Sequence, residues 1–299
     1  MKVMPAMRGW RPWRRRSKLF RLSPTERFAA FLLVLLSLFM LMPLVYIFNN
    51  ALKPYQELFL YPPTLFAQNP SLQNFIELWA IAKNSAIPMS RYIFNSVFVA
   101  VLTVIAVTLV SAMCAYPISK HKFPGHKVAF GAILLTLLFT PETVAIPRYL
   151  VVSHLGIMNT YFGHILPMVA VPTGVFLMKQ FIDQLPNELI DSAKMDGASE
   201  MKIFLKIVMP ICVPAVATIS IIAFQNAWGN TETSSLFMQE ETMKTFPFFI
   251  STLTSNMANN VARQGAAAAA ALVMFLPNLI IFLAFQSKVI ATMAHSGIK

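Results

Sequence analysis

The sequence has few charged residues: Asp, Glu, Lys and Arg together make up 12% of its 299 residues, whereas 57% are hydrophobic. A soluble globular protein carries about 25% charged residues, and a disordered chain is poor in apolar ones. Soluble, disordered and fibrous proteins are therefore excluded. The composition indicates a protein that crosses a membrane several times.

Motifs that carry chemistry are also scarce. The sequence contains no G-x-x-x-x-G-K-[ST] phosphate-binding loop, no H-E-x-x-H and no cysteine pair at zinc-binding spacing. Cys114 and Cys212 lie in apolar stretches and are interpreted as small core residues. His164 falls inside a predicted span, where a packed, hydrogen-bonded histidine is favoured over a ligand or a proton relay. We therefore predict no catalytic, cofactor-binding or metal-binding residue, and no ATP bound by this chain.

Long stretches without a charged residue predict the membrane spans. Each is long enough to cross a hydrocarbon core of about 30 Å at roughly 1.5 Å per residue. The shorter stretch 128–141 continues through Pro141 to Pro147 and predicts a span that breaks near its end. The uncharged stretches 58–76 and 245–262 are rich in Pro, Asn, Gln, Ser and Thr and predict loops. The sequence thus predicts an all-α protein with six transmembrane helices, the other five being 28–52, 92–119, 149–178, 207–231 and 264–287.

The charges are distributed unequally between the two sets of loops. Residues 1–27, 120–127, 179–206 and 288–299 hold 18 Lys and Arg against 6 Asp and Glu, and the remaining loops hold 6 of each. The positive-inside rule places the first set, and so both termini, in the cytoplasm. The arginine-rich first 27 residues are interpreted as a topology anchor beside anionic lipid rather than a nucleic-acid-binding segment.

The cytoplasmic loop 179–206 is predicted to contain two helices. Pro186 suits a first helical turn, and Leu189, Ile190 and Ala193 form an apolar stripe at helical spacing. Gly197 suits a left-handed stop, and a second helix capped by Ser199 continues to Pro210. Such an element suits docking into the groove of a soluble partner. A plain amphipathic re-entry loop is the alternative that the residues leave open.

This segment resembles the EAA loop of binding-protein-dependent ABC importer permeases. The family pattern is E-A-A, three residues, Gly, and then a hydrophobic stretch that ends in Pro. Here Asp191-Ser192-Ala193 stands at E-A-A, Asp196-Gly197-Ala198 follows, and Pro210 comes thirteen residues after Gly197. Asp in place of Glu and Ser in place of Ala depart from the pattern but keep the charge and the small size.

Three other segments extend the resemblance to residues 25–299. Asn95-Ser96-Val97 and the run from Cys114-Ala115-Tyr116 to Phe123-Pro124-Gly125 are similar to motifs of the sugar-importing subgroup. Gly265 to Ala271 and the tail Ser296-Gly297-Ile298-Lys299 are similar to the smaller maltose-permease-type subunit.

The resemblance implies a type I ABC importer transmembrane fold in the cytoplasmic membrane of a bacterium or archaeon. It implies a second homologous permease subunit, a dimer of ATP-binding subunits that holds ATP with Mg, and an extracellular solute-binding protein. Membrane lipid is a further partner and nucleic acid is not. Residues 1–27 would be a cytoplasmic basic segment and 28–299 the transmembrane domain, with its core at 92–288, a coupling loop at 179–206 and an extracellular loop at 232–262.

The resemblance also implies site residues. The tail Ser296, Gly297, Ile298 and Lys299 would reach between the ATPase subunits, unless it is a frayed terminus. The extracellular loop 232–262 would reach the binding protein, unless it packs on neighbouring spans. The residues that would contact the ATPase are Glu188, Asp191, Ser192, Ala193, Asp196, Gly197, Ala198 and Pro210.

Candidates for the solute path are polar or aromatic residues at the outer ends of two spans. Amides bond hydroxyl groups and Trp stacks on apolar faces, although interhelical hydrogen bonding explains the same residues. The absence of charge at mid-span favours a neutral, polyhydroxylated solute such as an oligosaccharide. An importer of a sugar phosphate or polyamine stays open, and a stand-alone carrier is disfavoured because no internal repeat is visible. The candidates are Asn95, Gln225, Asn226, Trp228 and Asn230.

Overall fold

The computed structural model describes residues 23–58, 60–62, 64–83, 87–258 and 264–296. No β-strand occurs in these ranges, which confirms the all-α prediction. A π-helical turn and a 3-10 turn, Glu241–Met243, interrupt the series of α-helices. The helices are α1 (Pro24–Leu52), α2 (Tyr55–Leu58), α3 (Gln73–Lys83), α4 (Met89–Lys120), α5 (His126–Thr136), α6 (Ala145–His154), α7 (Tyr161–Val169), α8 (Pro172–Asp183), α9 (Asn187–Met195), α10 (Glu200–Ile203), the π-helical turn (Phe204–Val208), α11 (Met209–Ile211), α12 (Val213–Trp228), α13 (Glu232–Phe237), α14 (Phe246–Ala258) and α15 (Gln264–Ser296).

Three of the described helices are long and apolar enough to cross a membrane without a break. They are α1, α4 and the Gln264–Gln286 part of α15, and they confirm the spans predicted at 28–52, 92–119 and 264–287. The chain divides into two compact units, Met1–Tyr46 and Ile47–Lys299, so that α1 passes from the first unit into the second. The packing described below lies within the second unit.

Two further spans are pairs of helices joined at a bend. The axes of α7 and α8 differ by 50°, and the α10–α11 segment differs from α12 by 81°. Pro172 begins α8, and proline is favoured at this first helical position because the amide hydrogen that it lacks would have no partner within the helix. The second bend lies at Cys212, where two prolines, Pro210 and Pro214, flank the joint.

The prediction of one continuous span over 149–178 is wrong. Helix α6 ends at His154, and the chain then turns through Gly156 and Asn159, which have φ values of +66° and +56°. A right-handed helix cannot include left-handed residues, so the span begins afresh at Tyr161 and continues to Asp183. The segment that follows α8 therefore starts at residue 184.

The third predicted span, 128–141, is broken as expected. Its helix, α5, has 11 residues, which reach only about 16 Å. Turns at 137–144 lead from α5 into α6. The described residues thus contain three straight candidate spans and two bent ones, and α5 is a shorter apolar helix in the place of the third predicted span.

The prediction of a loop over 245–262 is wrong, and the loop over 58–76 ends earlier than predicted. Helix α14 occupies Phe246–Ala258, and α3 begins at Gln73. Phe249, Ile250 and neighbouring apolar residues of α14 pack against Ala269 of α15. Packing against α15 therefore outweighs the low helix propensity of the Ser and Thr residues of α14.

Two apolar clusters hold the second unit together. One joins α4, α8, α9, α10 and α12, with Met178, Ile182 and Ile203 fully buried. The other joins α3, α4, α14 and α15 with the end of α12. The cysteines are both free; Cys212 is buried as predicted, but Cys114 is exposed, so a core position is wrong for Cys114.

Candidate coupling site

Residues 184–211, hereafter the coupling element, form a helix, a sharp corner and a second helical stretch. Helix α9 ends in a Schellman motif: the amide of Gly197 donates to the Lys194 carbonyl and that of Ala198 to the Ala193 carbonyl, both at 3.0 Å. Gly197 adopts φ +76°, the left-handed conformation in which a Cβ is disfavoured. The corner predicted from the sequence is therefore present at the predicted residue.

Helix α10 begins at the predicted cap. The Ser199 hydroxyl accepts a hydrogen bond from the Lys202 amide at 3.4 Å. The helix then widens into the π-helical turn before Met209, and Pro210 is exposed beside the 81° bend. The second helical stretch is thus shorter and more strongly bent than a single regular helix to Pro210.

The two faces of α9 have different surroundings. Ile190 and Ala193 are buried in the cluster shared with α4 and α8. Glu188, Asp191 and Ser192 are exposed on the opposite face. Leu189, predicted to belong to the apolar stripe, is 46% exposed, which corrects its assignment to the buried face. Met195 and Met201 are further apolar side chains that are exposed at the end of α9 and in α10.

The exposed acidic groups of the corner are not neutralised by neighbours. Glu188, Asp191 and Asp196 form no ion pair within the described part of the chain. The side-chain hydroxyl of Ser192 is used internally, donating to the Glu188 carbonyl at 2.7 Å. The exposed side of α9 and the corner at its end therefore present three free carboxylates together with exposed Leu189 and Met195, a surface suited to a basic groove with an apolar floor.

Glu200 ties the corner to α4. Its carboxylate accepts the Tyr116 hydroxyl at 2.8 Å, pairs with Lys194 at 2.8 Å and lies 3.5 Å from His121 Nε2. The Tyr116 ring also packs against Phe204, with the ring centroids 5.5 Å apart. The sequence motif includes Tyr116, but it does not predict the contact between Tyr116 and Glu200, because 84 residues separate them along the chain.

The other end of α9 is tied to the same end of α4. Lys120 Nζ donates to the Leu185 carbonyl at 2.6 Å and to Asn187 Oδ1 at 3.0 Å. Ser119 donates to Asp183, which also pairs with Lys179 at 2.6 Å. The end of α4 therefore holds the coupling element on both sides of its corner.

The structure describes little of the predicted tail. Ser296 is the last residue of α15, and Gly297, Ile298 and Lys299 lie outside the described residues. The basic segment 1–22 also lies outside them. The predictions for both segments stay predictions.

The structure separates the solute-path candidates into two groups. Asn95 is fully buried, donates to the carbonyls of Thr242 and Lys244 at 2.9 Å each, and accepts the Tyr161 hydroxyl at 2.9 Å. Trp228 is buried and donates to the Met274 carbonyl. These two side chains have their polar atoms engaged within the protein in this conformation.

The other three candidates lie near the end of α12. Asn230 accepts hydrogen bonds from the Thr233 amide and hydroxyl at 2.9 and 2.8 Å, so its side chain is bound to the first turn of α13. Gln225 and Asn226 are exposed, and neither side chain forms a hydrogen bond to another described residue. These two amides are the candidates whose polar atoms are available to a solute.

Residues 232–245 are closely packed on neighbouring helices. His164 is fully buried, as predicted, with Nδ1 2.8 Å from the Thr233 hydroxyl and Nε2 3.0 Å from the Met243 carbonyl. Arg148 pairs with Glu232, and Asn159 accepts the amides of Gln239 and Glu240. The segment is therefore part of the folded body.

Comparison with known proteins matches most of the chain. Residues 23–287 match a family described as "Binding-protein-dependent transport system inner membrane component". The chain is 29% identical over 281 residues to the arabinooligosaccharides transport system permease protein AraQ of Bacillus subtilis, covering 92% of this chain and 98% of that protein. It is 30% identical over 260 residues to the sn-glycerol-3-phosphate transport system permease protein UgpE of Pectobacterium atrosepticum, covering 87% and 92%.

A solved structure confirms the predicted fold. A chain of a bacterial ABC transporter involved in the import of the acidic polysaccharide alginate superposes with a TM-score of 0.74, covering 89% of this chain and 98% of that one. The sequence identity is 19%, so the likeness concerns the fold alone. The type I importer transmembrane fold implied by the EAA-like segment is thereby confirmed.

Proposed function

This chain belongs to the family of binding-protein-dependent transport system inner membrane components, and from this membership we propose that it is one of two permease subunits of an ATP-driven importer for an oligosaccharide or a related polyhydroxylated solute. The chain is a transport component rather than an enzyme. ATP with Mg is bound and hydrolysed by a separate dimer of subunits, and an extracellular binding protein delivers the solute. The site of action is the cytoplasmic membrane.

The observation that carries this proposal is the construction of the coupling element. Three exposed carboxylates, Glu188, Asp191 and Asp196, lie along α9 from its first turn to the glycine corner at its end, and the opposite face is buried in the core. A solvated loop that only connected two spans would not need a buried face and a fixed corner. A rigid, charged projection suits docking into a groove of the ATPase.

Motion of the ATPase would reach the spans through two packed connections. A displacement of the corner acts on α4 through Glu200–Tyr116 and Lys120–Asn187. It acts on α12 through the π-helical turn and the 81° bend. Packed interfaces switch between discrete arrangements rather than deforming continuously, so these connections support a change between inward-facing and outward-facing states.

The solute class is supported by the relatives and by the exposed amides. Relatives are named for arabinooligosaccharides and for melibiose, raffinose and stachyose. Gln225 and Asn226 offer donors and acceptors that match hydroxyl groups. A relative named for sn-glycerol-3-phosphate supports an importer of a sugar phosphate as the alternative.

The outer segment 232–262 would receive the binding protein. Its first part is held by Arg148, Asn159 and His164, so a docked protein would contact a fixed surface. The second permease would complete the solute path beside α12.

Copurification tests the proposal. The tagged chain, expressed with its genomic neighbours and extracted in mild detergent, should bring down an ATP-binding subunit and a second permease. Recovery of a chain that transports alone, with no ATPase, would overturn it. Binding of candidate saccharides and of sn-glycerol-3-phosphate to the partner binding protein then separates the two solute classes.

A further inference from the structure

Helix α3 has two apolar faces, and only one of them is covered. Leu78 and Ala82 are buried in the cluster with α14 and α15. On the opposite side Leu72, Ile76 and Trp79 are 65%, 67% and 61% exposed. Their spacing of four and three residues places them in one stripe along the helix. A helix in water would place polar residues there.

The hydrogen bonds of Asn74 fix where this face lies. Its amide donates to the carbonyls of Ala51 and Lys53 at 2.9 and 2.8 Å, at the last turn of α1. The same side chain fills the space of a Cβ at Gly265, at the first turn of α15. The end of α1 and the first turn of α15 therefore lie beside α3. Because membrane-crossing helices end near the lipid headgroups, α3 is expected at that level.

The chemistry of the exposed stripe fits that level. Trp carries a large apolar ring with one polar N–H, and Trp and Tyr are enriched where hydrocarbon meets water. Lys83 follows Trp79 by four residues and is also exposed, so the stripe ends in a cation suited to a lipid phosphate. The stretch 58–76, which leads into the stripe, contains no charged residue, and it exposes Tyr61 and Phe66.

We propose that α3 is an interfacial helix whose Leu72–Ile76–Trp79 stripe lies among the headgroups and upper acyl chains of phospholipid, with Lys83 against their phosphates. The helix would set the depth at which the ends of α1 and α15 sit in the bilayer. A protein partner could cover the stripe instead of lipid. However, the stripe carries no acidic side chain and only one cation, so it offers few charges by which a protein could be recognised.

Fluorescence quenching of Trp79 tests the proposal. The full chain with its partner subunits is placed in vesicles of phosphatidylethanolamine and phosphatidylglycerol that contain a fraction of headgroup-nitroxide lipid. The fluorescence of Trp79 is obtained by subtracting the emission of the Trp79→Phe variant from that of the wild type. Trp79→Phe is a conservative change at an exposed site. The emission of Trp228, obtained from Trp228→Phe, is the internal control for a buried indole.

We expect the nitroxide lipid to quench Trp79 several-fold more strongly than Trp228. If the lipid does not quench Trp79 while aqueous iodide does, the stripe faces water and the proposal fails. If neither quencher acts, a protein covers the stripe and the proposal fails equally. The measurement requires no transport, so its outcome is independent of the proposed function.

Discussion

Gly197 occupies a conformation in which other residues are strained, although space is available around it. Its φ is +76°, and no atom lies within 4 Å of the position that a Cβ would occupy. Left-handed backbone costs an L-residue about 1–2 kcal/mol. Strain, rather than a clash, therefore decides the effect of a substitution at this corner.

We expect Gly197→Leu to lower the solute imported per ATP hydrolysed, while the chain stays in the membrane. Gly197→Asn should retain more coupling, because Asn tolerates the left-handed region. Gly131→Leu is the matched control, since a Cβ at Gly131 also meets open space but the residue has no positive φ. Normal coupling in Gly197→Leu, measured in proteoliposomes, would refute the role of the corner.

Asp191 carries a free carboxylate on the exposed face of α9. We expect Asp191→Lys to weaken association with the ATPase subunits, because it reverses the charge that is proposed to face their groove. The fraction of ATPase that copurifies with the chain measures this. Glu142→Lys reverses another exposed acid outside the coupling element and should leave the fraction unchanged. An equal decrease of the copurified ATPase fraction in both variants would indicate a general effect of charge instead of a contact at Asp191.

At the scale of elements, the Tyr116–Glu200 bond joins α4 to α10. A hydrogen bond to a charged group contributes about 1.5–3 kcal/mol when buried, and less here because Glu200 is exposed. Tyr116→Phe keeps the ring against Phe204 and removes only the hydroxyl. We expect faster amide hydrogen exchange in α9 and α10 and a partial loss of coupling.

Tyr149→Phe is the control for Tyr116→Phe, since it also removes only a tyrosine hydroxyl. Tyr149 stacks on Phe237, with the ring centroids 6.3 Å apart, and its hydroxyl forms no hydrogen bond to the rest of the described chain. Removing this hydroxyl should leave exchange in α9 and α10 unchanged. If Tyr116→Phe behaves in the same way, the bond does not transmit motion.

Local signals in the sequence predicted the straight spans, the glycine corner and the Ser199 cap, because each depends on a few neighbouring residues. They did not predict the break between α6 and α7, where Gly156 and Asn159 turn the chain inside an uncharged stretch. They also missed α14, whose helix depends on packing against α15. The anchors of the coupling element were missed because Lys120 and Tyr116 meet their partners only in the folded chain.

Across the whole molecule, the formal net charge of +12 is predicted to orient the chain, and the corner is an acidic exception among the loops that are predicted to be cytoplasmic. Five of the six acids predicted to be cytoplasmic lie between residues 183 and 200. Two of them, Asp183 and Glu200, are paired within the chain. Glu188, Asp191 and Asp196 are left for a partner.

Substitution of the exposed amides tests the solute path. Gln225→Ala with Asn226→Ala should raise the solute concentration needed for half-maximal uptake, because two groups that bond hydroxyls are removed. ATPase association should not change. Asn95→Ala, by contrast, should lower the amount of folded chain, because it leaves the Thr242 and Lys244 carbonyls without their donor. Unchanged uptake in the double variant would remove both amides from the path.

The proposed contact between the corner of the coupling element and the ATP-binding subunits can be detected by photocrosslinking. A photoreactive amino acid replaces Met195, which is 89% exposed beside the corner, and in a second variant Leu138, which is 79% exposed elsewhere. In intact cells, the variant at 195 should form an adduct with the ATP-binding subunit, and the variant at 138 should not. The absence of that adduct at 195 from a correctly inserted chain, or equal adducts from both positions, would contradict the account.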